Sequence, residues 1–484
     1  MLYHSTRSRA VQADSAQAVL QGLSPDGGLY VPAAMPRLDV AACLAAPSAQ
    51  AMAEQILTAF LPDIPDMAAL VRRAYAGKFE TEELTPTAAA GAFTVTELFR
   101  GPTSAFKDVA LCMLPQLLSQ ARRALGVQEE ILVLTATSGD TGKAALRGFQ
   151  DVPGVKICVF YPHGGVSSIQ RAQMVTQPGK NVSVFAIRGN FDDAQTGVKA
   201  IFAACPEGKL GNTRLSSANS INIGRLVPQI TYYFKTYQDL LRRGTVAMGE
   251  EVNFAVPTGN FGNILAGYLS KQLGLPVGKL LCASNANNVL TDFLTTGVYD
   301  RRRSLRRTIS PSMDILVSSN LERLLYFMSS DAQVREWMRQ LHSQGFYTLP
   351  KEILHTIQQD FYGGFCQDSQ AMAVIRRVWE RQGYLLDPHT AAAWAVAEEY
   401  QAAAGDQRPL AVLATASPYK FPAAVLEALG ETPSRNAFAN LEALRRKTGI
   451  PIPENLAAVE RLPERHTAVI EKAEMLTQVQ GLCR

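Results

Sequence analysis

The stretch Ile131-Leu132-Val133-Leu134-Thr135-Ala136-Thr137-Ser138-Gly139-Asp140-Thr141-Gly142-Lys143 decides the fold. Ile131 to Thr135 is a compact apolar run of strand length, Ala136 to Gly142 is a polar glycine loop, and Lys143 to Phe149 is rich in helix formers. A second apolar run, Val155 to Tyr161, stops at Pro162-His163-Gly164-Gly165. Strand, glycine loop, helix and strand is the order of a βαβ unit, so a parallel sheet covered by helices is expected here.

Working outward, Val182 to Ile187 reads as another strand, with a helix from about 192 to 204, and Asn222 to Leu241 carries apolar residues at helical intervals. Val252 to Val256 then repeats the opening pattern, running into Pro257-Thr258-Gly259-Asn260-Phe261-Gly262-Asn263 and a helix through Leu273, with Leu280 to Ala283 as the next strand. Upstream, prolines break residues 36 to 75 into short helices, Phe93 to Phe99 reads as a strand and Asp108 to Leu125 as a helix. Downstream, residues 318 to 400 read as mostly helical, punctuated by Gly345, Pro350, Gly363-Gly364 and Asp387-Pro388, and Leu410 to Ala414 is the last strand.

The expected class is therefore α/β with two doubly wound units. The expected division is an N-terminal region, 1–90, a smaller α/β domain, 91–240, a larger one, 241–430, holding a helical insertion at about 318–400, and a C-terminal helical tail, 431–484. Ligands of such sheets bind beyond the carboxyl ends of the strands. That rule selects the loops at 103–108, 137–142, 258–263 and 415–421.

Composition narrows the function. The 484 residues are 47% apolar and 19% charged, enough for a large core, and 47 basic against 43 acidic side chains leave a formal charge of only +4. No nucleic-acid face is expected from so small an excess, and the cluster Arg301 to Arg303 with Arg306 and Arg307 reads as a solvated surface. Seven dispersed cysteines without a CxxC pair fit reduced thiols, and the six histidines form no HExxH, so no metal site is expected. The N-terminus shows no apolar leader and no run reaches about 18 uncharged apolar residues, so the expectation is a cytoplasmic protein without membrane contact.

Three of the loops hold residue types that can do chemistry. Gly259-Asn260-Phe261-Gly262-Asn263 follows a strand and opens a helix, where backbone N–H groups and the helix field favour a phosphate, although an ordinary strand-to-helix turn has the same look. It lacks the GxGxxG of dinucleotide folds, and Gly139 to Lys143 lacks the spacing of a nucleotide P-loop. Ser138-Gly139-Asp140-Thr141-Gly142 offers hydroxyls and amides to a carboxylate or to a local turn, and Lys143 faces an anion or solvent. Lys107, just before an amphipathic helix, is either a surface residue or a Schiff-base lysine made nucleophilic by burial and the helix N-terminus. His389, after Asp387-Pro388, reads as a loop or helix-start residue.

Taken in order, Ser24-Pro25-Asp26-Gly27-Gly28-Leu29-Tyr30-Val31-Pro32, Gly101-Pro102-Thr103 with Ala105-Phe106-Lys107-Asp108, Thr137 to Gly142, Gly189 to Asp193, Asn219 to Asn222 with Arg225, Pro257 to Asn263, and Pro311 to Ile315 with Ser319-Asn320 resemble the threonine synthase family. The resemblance covers nearly the whole chain, from residue 3 to about 425. The resemblance implies a fold-type II pyridoxal-phosphate enzyme of the tryptophan synthase β kind. It implies that Lys107 holds pyridoxal 5'-phosphate as a Schiff base and later shuttles protons, and that Phe106 helps to enclose the ring. Backbone donors of Gly259, Asn260, Phe261, Gly262 and Asn263 would bind the cofactor phosphate, and Thr415 would stand near the pyridine nitrogen. Ser138, Gly139, Asp140 and Thr141 would receive the substrate near its carboxylate. Asn222 and Arg225 would face its phosphate or carboxylate, with Lys143 and Lys420 as further candidates for that anionic pocket.

The implied reaction converts O-phospho-L-homoserine and water to L-threonine and phosphate by γ-elimination and β-hydration. The alternative is a phospho-lyase of similar make that releases 2-oxobutyrate, ammonia and phosphate. A noncatalytic binding protein on the same scaffold is the remaining reading, and Lys107 speaks against it. A small-molecule substrate is the expected partner, and a monomer or weak homodimer the expected assembly. Two departures stand out: Ser417 occupies the place where the family usually has a histidine, and Lys143 stands where a small residue is common. The tail beyond about 425 matches no pattern and reads as an exposed helical finish.

Overall fold

The computed structural model describes residues 1–137, 139–205 and 208–483. The strands are β1 (Leu2–Ser5), β2 (Ser8–Asp14), β3 (Tyr30–Pro32), β4 (Thr87–Ala90), β5 (Phe93–Glu97), β6 (Glu130–Ala136), β7 (Val155–Pro162), β8 (Val182–Ile187), β9 (Lys209–Leu210) and β10 (Thr213–Ser217). They continue as β11 (Val252–Pro257), β12 (Val277–Ser284), β13 (Val298–Asp300), β14 (Phe346–Thr348), β15 (Phe361–Phe365), β16 (Leu410–Ala414) and β17 (Val469–Ile470). Two six-stranded sheets dominate, in the orders β17-β8-β7-β6-β10-β9 and β15-β12-β11-β16-β5-β4. Neighbours run parallel in both sheets except at the β9 and β4 edges. Buried runs such as Leu132 to Leu134 and Phe254 to Val256 fit strands covered by helices on both faces.

Sheet membership does not follow chain order. β5, which precedes the first βαβ unit, pairs with β16 in the second sheet, with Glu97 opposite Ala414. Parallel pairing brings the two carboxyl ends to one edge, so the loop leading to Lys107 and the loop 415–421 leave the sheet side by side. From there the helix Lys107–Ala124, buried along most of its length, crosses to pack on the helix Asp140–Phe149 of the first unit. Lys107 therefore lies where the two units meet.

The segment 318–400 is mostly helical, as expected, but Gly363-Gly364 is a strand and not a break: it lies inside β15, paired with Cys282 and Ala283, and the helix Pro388–Ala404 passes so closely that a Cβ on Gly364 would come 2.7 Å from Val396 Cγ1. The C-terminal tail is not an exposed helical finish. Its helix Ala437–Thr448 packs on Pro422–Ala428 beside the second sheet, whereas β17 adds to β8 of the first. Leu441, Leu444, Leu456, Val459, Ile470, Met475 and Val479 are buried, which is apolar spacing that charge alternation conceals.

The N-terminal region is fastened to the larger unit by Thr6 and Arg7, both of which donate to Glu322. The buried Arg323 donates to the carbonyl oxygens of Tyr30 and Ile221 and to Asn320. No helix among the described residues is long and apolar enough to cross a membrane.

Candidate active site

Lys107 is the first residue of its helix, 9% exposed, with Nζ 4.5 Å from the ring centre of the half-buried Phe106. The turn before it is pinned from three sides. Thr103 donates N–H and Oγ1–H to the buried Asp108 at 2.8 and 2.5 Å, Phe106 N donates to Thr415 O at 2.8 Å, and Ser417 N donates to Ser104 O at 3.1 Å. Ser104 holds a left-handed φ of 57°, a conformation that a non-glycine residue keeps only where its surroundings enforce it. Asn455, from the tail, accepts from Ser104 Oγ and donates to Gly101 O.

The loop 137–142 closes on itself through Thr137 Oγ1, which accepts from the N–H groups of Gly139 and Gly142. Asp140 opens the following helix, and Thr141 is half-buried. Ser138 lies outside the described residues. Asp140 makes a 2.7 Å ion pair with Lys420, accepts from Gln170 at 3.1 Å and from Ser312 Oγ at 3.4 Å. Lys420 also donates to Thr103 O at 3.1 Å. One carboxylate from the first sheet is thus tied to two segments of the second, directly behind Lys107.

The electrostatics follow from burial. Burial pushes the Lys107 ammonium down to about 8 against the pull of Asp140, and Arg225 and Lys420 add to the lowering. An amine so placed has a usable lone pair near neutral pH. Burial would raise the Asp140 carboxyl, but Lys420 and then Lys107 hold it well below the usual carboxylate range. Burial lowers Lys143 to about 7; one of its donors goes to Gln177 Oε1 at 2.6 Å. Arg225 is 6% exposed, lowered to about 10 by burial, and donates to Ala218 O at 2.8 Å. No carboxylate pairs with it among the described residues. A buried guanidinium without a counter-ion is a receptor for an anion.

Two carbonyls of the loop 258–263 are taken up by the segment 318–320: Gly259 O accepts from Ser318 Oγ and Asn260 O from both N and Nδ2 of Asn320. Phe261 takes a left-handed φ of 62° and sends its ring into the core against Phe361, so only its backbone is available to a ligand. The N–H groups that open the helix Gly262–Gln272 have no carbonyl within the helix. Asn263 Oδ1 accepts from Tyr232 and Tyr233 hydroxyls, and its buried Nδ2 has no partner among the described residues. A Cβ on Gly259 would lie 2.7 Å from Ser312 O. An orphaned amide, a helix N-terminus and a glycine where no side chain fits make a cradle suited to a phosphate. With Lys107 and the neutral hydroxyl of Thr415 nearby, the residues present fit pyridoxal 5'-phosphate.

The residues read from the sequence do not all face this centre. Asn222 caps its helix: Oδ1 accepts from Gly224 N and Nδ2 donates to Val19 O, so its amide holds backbone and is not free for substrate. Lys420 is already neutralised by Asp140 and joins loops instead of offering a free charge to substrate. Sequence reasoning also passed over Gln170, Asn455 and the roles of Ser312 and His389. His389 does start a helix, as read, but Asp-Pro-His-Thr also carries an N-cap signal that buries the ring beside Ser312.

The comparisons agree with this geometry. Residues 82–355 match the family model described as pyridoxal-phosphate dependent enzyme, which defines the class. Residues 2–75 match the threonine synthase N terminus and 390–480 the threonine synthase C-terminal model, so the tail that matched no pattern in the sequence has a family counterpart. The chain belongs to the threonine synthase family of fold-type II pyridoxal-phosphate-dependent enzymes. It is 38% identical to threonine synthase of Pseudomonas aeruginosa, over 96% of this chain and 98% of that one. It is 36% identical to threonine synthase-like 1 of Pongo abelii over 96% of this chain, which spans 63% of that relative's length. The crystal structure of PLP-bound threonine synthase from Brucella melitensis superposes with a TM-score of 0.88 at 36% identity, covering 100% of both chains.

Proposed function

We propose that this chain is a threonine synthase, converting O-phospho-L-homoserine and water to L-threonine and phosphate. The observation that carries the reading is Arg225: a buried, acid-free guanidinium whose charge acts on Lys107 supplies an anion receptor separate from the 258–263 cradle. Two anion receptors around one reactive lysine suit a cofactor phosphate at one and a substrate phosphate at the other.

When bound, the cofactor supplies an electron sink for carbanion character at the substrate's α and β carbons. The N–H groups of Gly259 to Asn263 would hold its phosphate, with Phe106 and Thr415 as the residues that would meet its ring. Lys107 would take the proton from Cα and, staying within reach once it has released the cofactor, would move the proton at Cβ. Arg225 takes the charge that grows on the departing phosphate oxygen at Cγ. The N–H groups opening the helix at Asp140, with the Thr141 hydroxyl, receive the substrate carboxylate. Asp140 itself repels that carboxylate, and Lys420 offsets its charge.

The test is product analysis of the cofactor-loaded protein with O-phospho-L-homoserine, measuring phosphate, threonine and 2-oxobutyrate together. Equal phosphate and threonine support the reading. Phosphate matched by 2-oxobutyrate transfers the assignment to a phospho-lyase, and no turnover rejects this substrate.

A further inference from the structure

Behind the site lies a buried acid and imidazole that the proposed chemistry does not use. Asp387 and His389, 1% and 2% exposed, form a pair at 2.6 Å between Oδ2 and Nδ1. The remaining acceptor capacity of Asp387 is filled by the N–H groups of His389 and Thr390 and by the Thr390 hydroxyl. On the far side of the ring, Ser312 N–H donates to His389 Nε2 at 3.2 Å. An imidazole nitrogen that accepts a hydrogen bond carries no proton, so the ring is the Nδ1–H tautomer, fixed by the carboxylate.

The ring touches both segments that hold Asp140. Ser312, whose N–H it accepts, donates Oγ–H to Asp140 Oδ2, and the backbone of Ser312 also bounds the phosphate cradle at Gly259. Phe421, whose ring centre is 4.9 Å from that of His389, directly follows Lys420, the ion-pair partner of Asp140. A loop serine and a lysine on a different segment are keyed to one imidazole. An apolar side chain in its place could pack against Phe421 but could not accept from Ser312.

We propose that His389 is a positioning residue of the active site: held as one tautomer by Asp387, it fixes Ser312 and the Lys420 segment so that Asp140 stands at a set place facing Lys107. The inference rests on Lys107 carrying the cofactor, as proposed above, and not on which substrate is turned over. It separates the two polar functions of the ring. Nδ1 only anchors, whereas Nε2 transmits the position to Asp140.

The experiment uses full-length, cofactor-loaded protein with His389→Gln, His389→Asn and His389→Leu. Gln places an amide oxygen where Nε2 stood and keeps the acceptor for Ser312, Asn keeps a group near Asp387 and loses that acceptor, and Leu keeps only bulk. The readout is the pH midpoint of the visible absorbance of the bound cofactor, taken without substrate. That midpoint senses the charges facing Lys107, which are Asp140, Arg225, Lys420 and Asp108. With Asp140 displaced, the midpoint falls by about half a pH unit or more in the Asn and Leu variants, and the Gln variant stays near wild type. Cofactor affinity falls about tenfold in the Asn variant, the equivalent of one lost hydrogen bond, and recovers in the Gln variant. An unmoved midpoint in the Asn variant, or a Gln variant that moves with it, overturns the proposal. Because no substrate is present, a failure to make threonine and a failure of this test are read independently.

Discussion

Replacing Asp140 with Asn removes the one charge shared by the two halves of the site. Asp140 and Lys420 meet at 2.7 Å with side chains 5% and 0% exposed, so the substitution strands a buried ammonium. Breaking such a pair from one side costs about 3–5 kcal/mol, and the lower end applies because Lys420 retains Thr103 O as a partner. Replacing both charges, as in Asp140→Asn with Lys420→Met, removes the stranded charge and recovers most of the loss. Urea unfolding of the two single variants and the double variant in cofactor-free form then gives a coupling of about 2 kcal/mol or more. Asp140 is also the strongest charge favouring the Lys107 ammonium, so its loss lowers Lys107 further from about 8. Covalent capture of pyridoxal phosphate, half-maximal near pH 8 in the wild type, moves about one pH unit lower in Asp140→Asn. An Asp140→Asn protein as stable as wild type, or a capture midpoint unchanged or raised, refutes the reasoning.

Arg225→Leu removes the proposed phosphate receptor: KM for O-phospho-L-homoserine rises about 30-fold or more, the worth of a charge-assisted hydrogen bond, and the pH midpoint of the bound cofactor's absorbance moves up, because Arg225 is one of the charges that lower Lys107. Gly259→Ala sets a methyl group 2.7 Å from Ser312 O, and equilibrium dialysis finds cofactor affinity about tenfold or more weaker, from overpacking of about 1–3 kcal/mol. Asn455→Ala releases Ser104 and Gly101, costing about 1–2 kcal/mol in urea unfolding and slowing cofactor capture although residue 455 lies far along the chain. The cofactor-free protein gains stability as pH rises from about 8 toward 10.5: there the unfolded chain binds a proton at Lys107 that the folded one does not. The gain totals about 3 kcal/mol, the full cost remains below pH 8, and urea midpoints across that window measure it.

The local code was legible wherever a strand ran into a glycine loop. Ile131 to Thr135 and Val252 to Val256 are apolar runs long enough for covered strands, and the loop after each carries its own turn chemistry, so β6, β11 and their loops needed no knowledge of the rest. The reading failed where burial came from remote contacts. Gly363-Gly364 reads as a break until the helix Pro388–Ala404 is laid over it, and β17 is too short to be recognised without β8 beside it.

What the sequence by itself determined, then, is the α/β class, the loops at strand ends, the reactive candidate Lys107 and its family resemblance, because each rests on residues adjacent in the chain. The tertiary structure alone decided which polar groups are free. Asn222 and Arg225 stand three positions apart in one motif, yet the amide is consumed by Val19 O and Gly224 N and the guanidinium meets no acid among the described residues. Asp140 meets Lys420, and His389 meets Ser312, across separations that no periodicity encodes. The physical reason is desolvation: the cost of burying a polar group is set by whichever segment arrives to pair with it, and only the folded chain determines that.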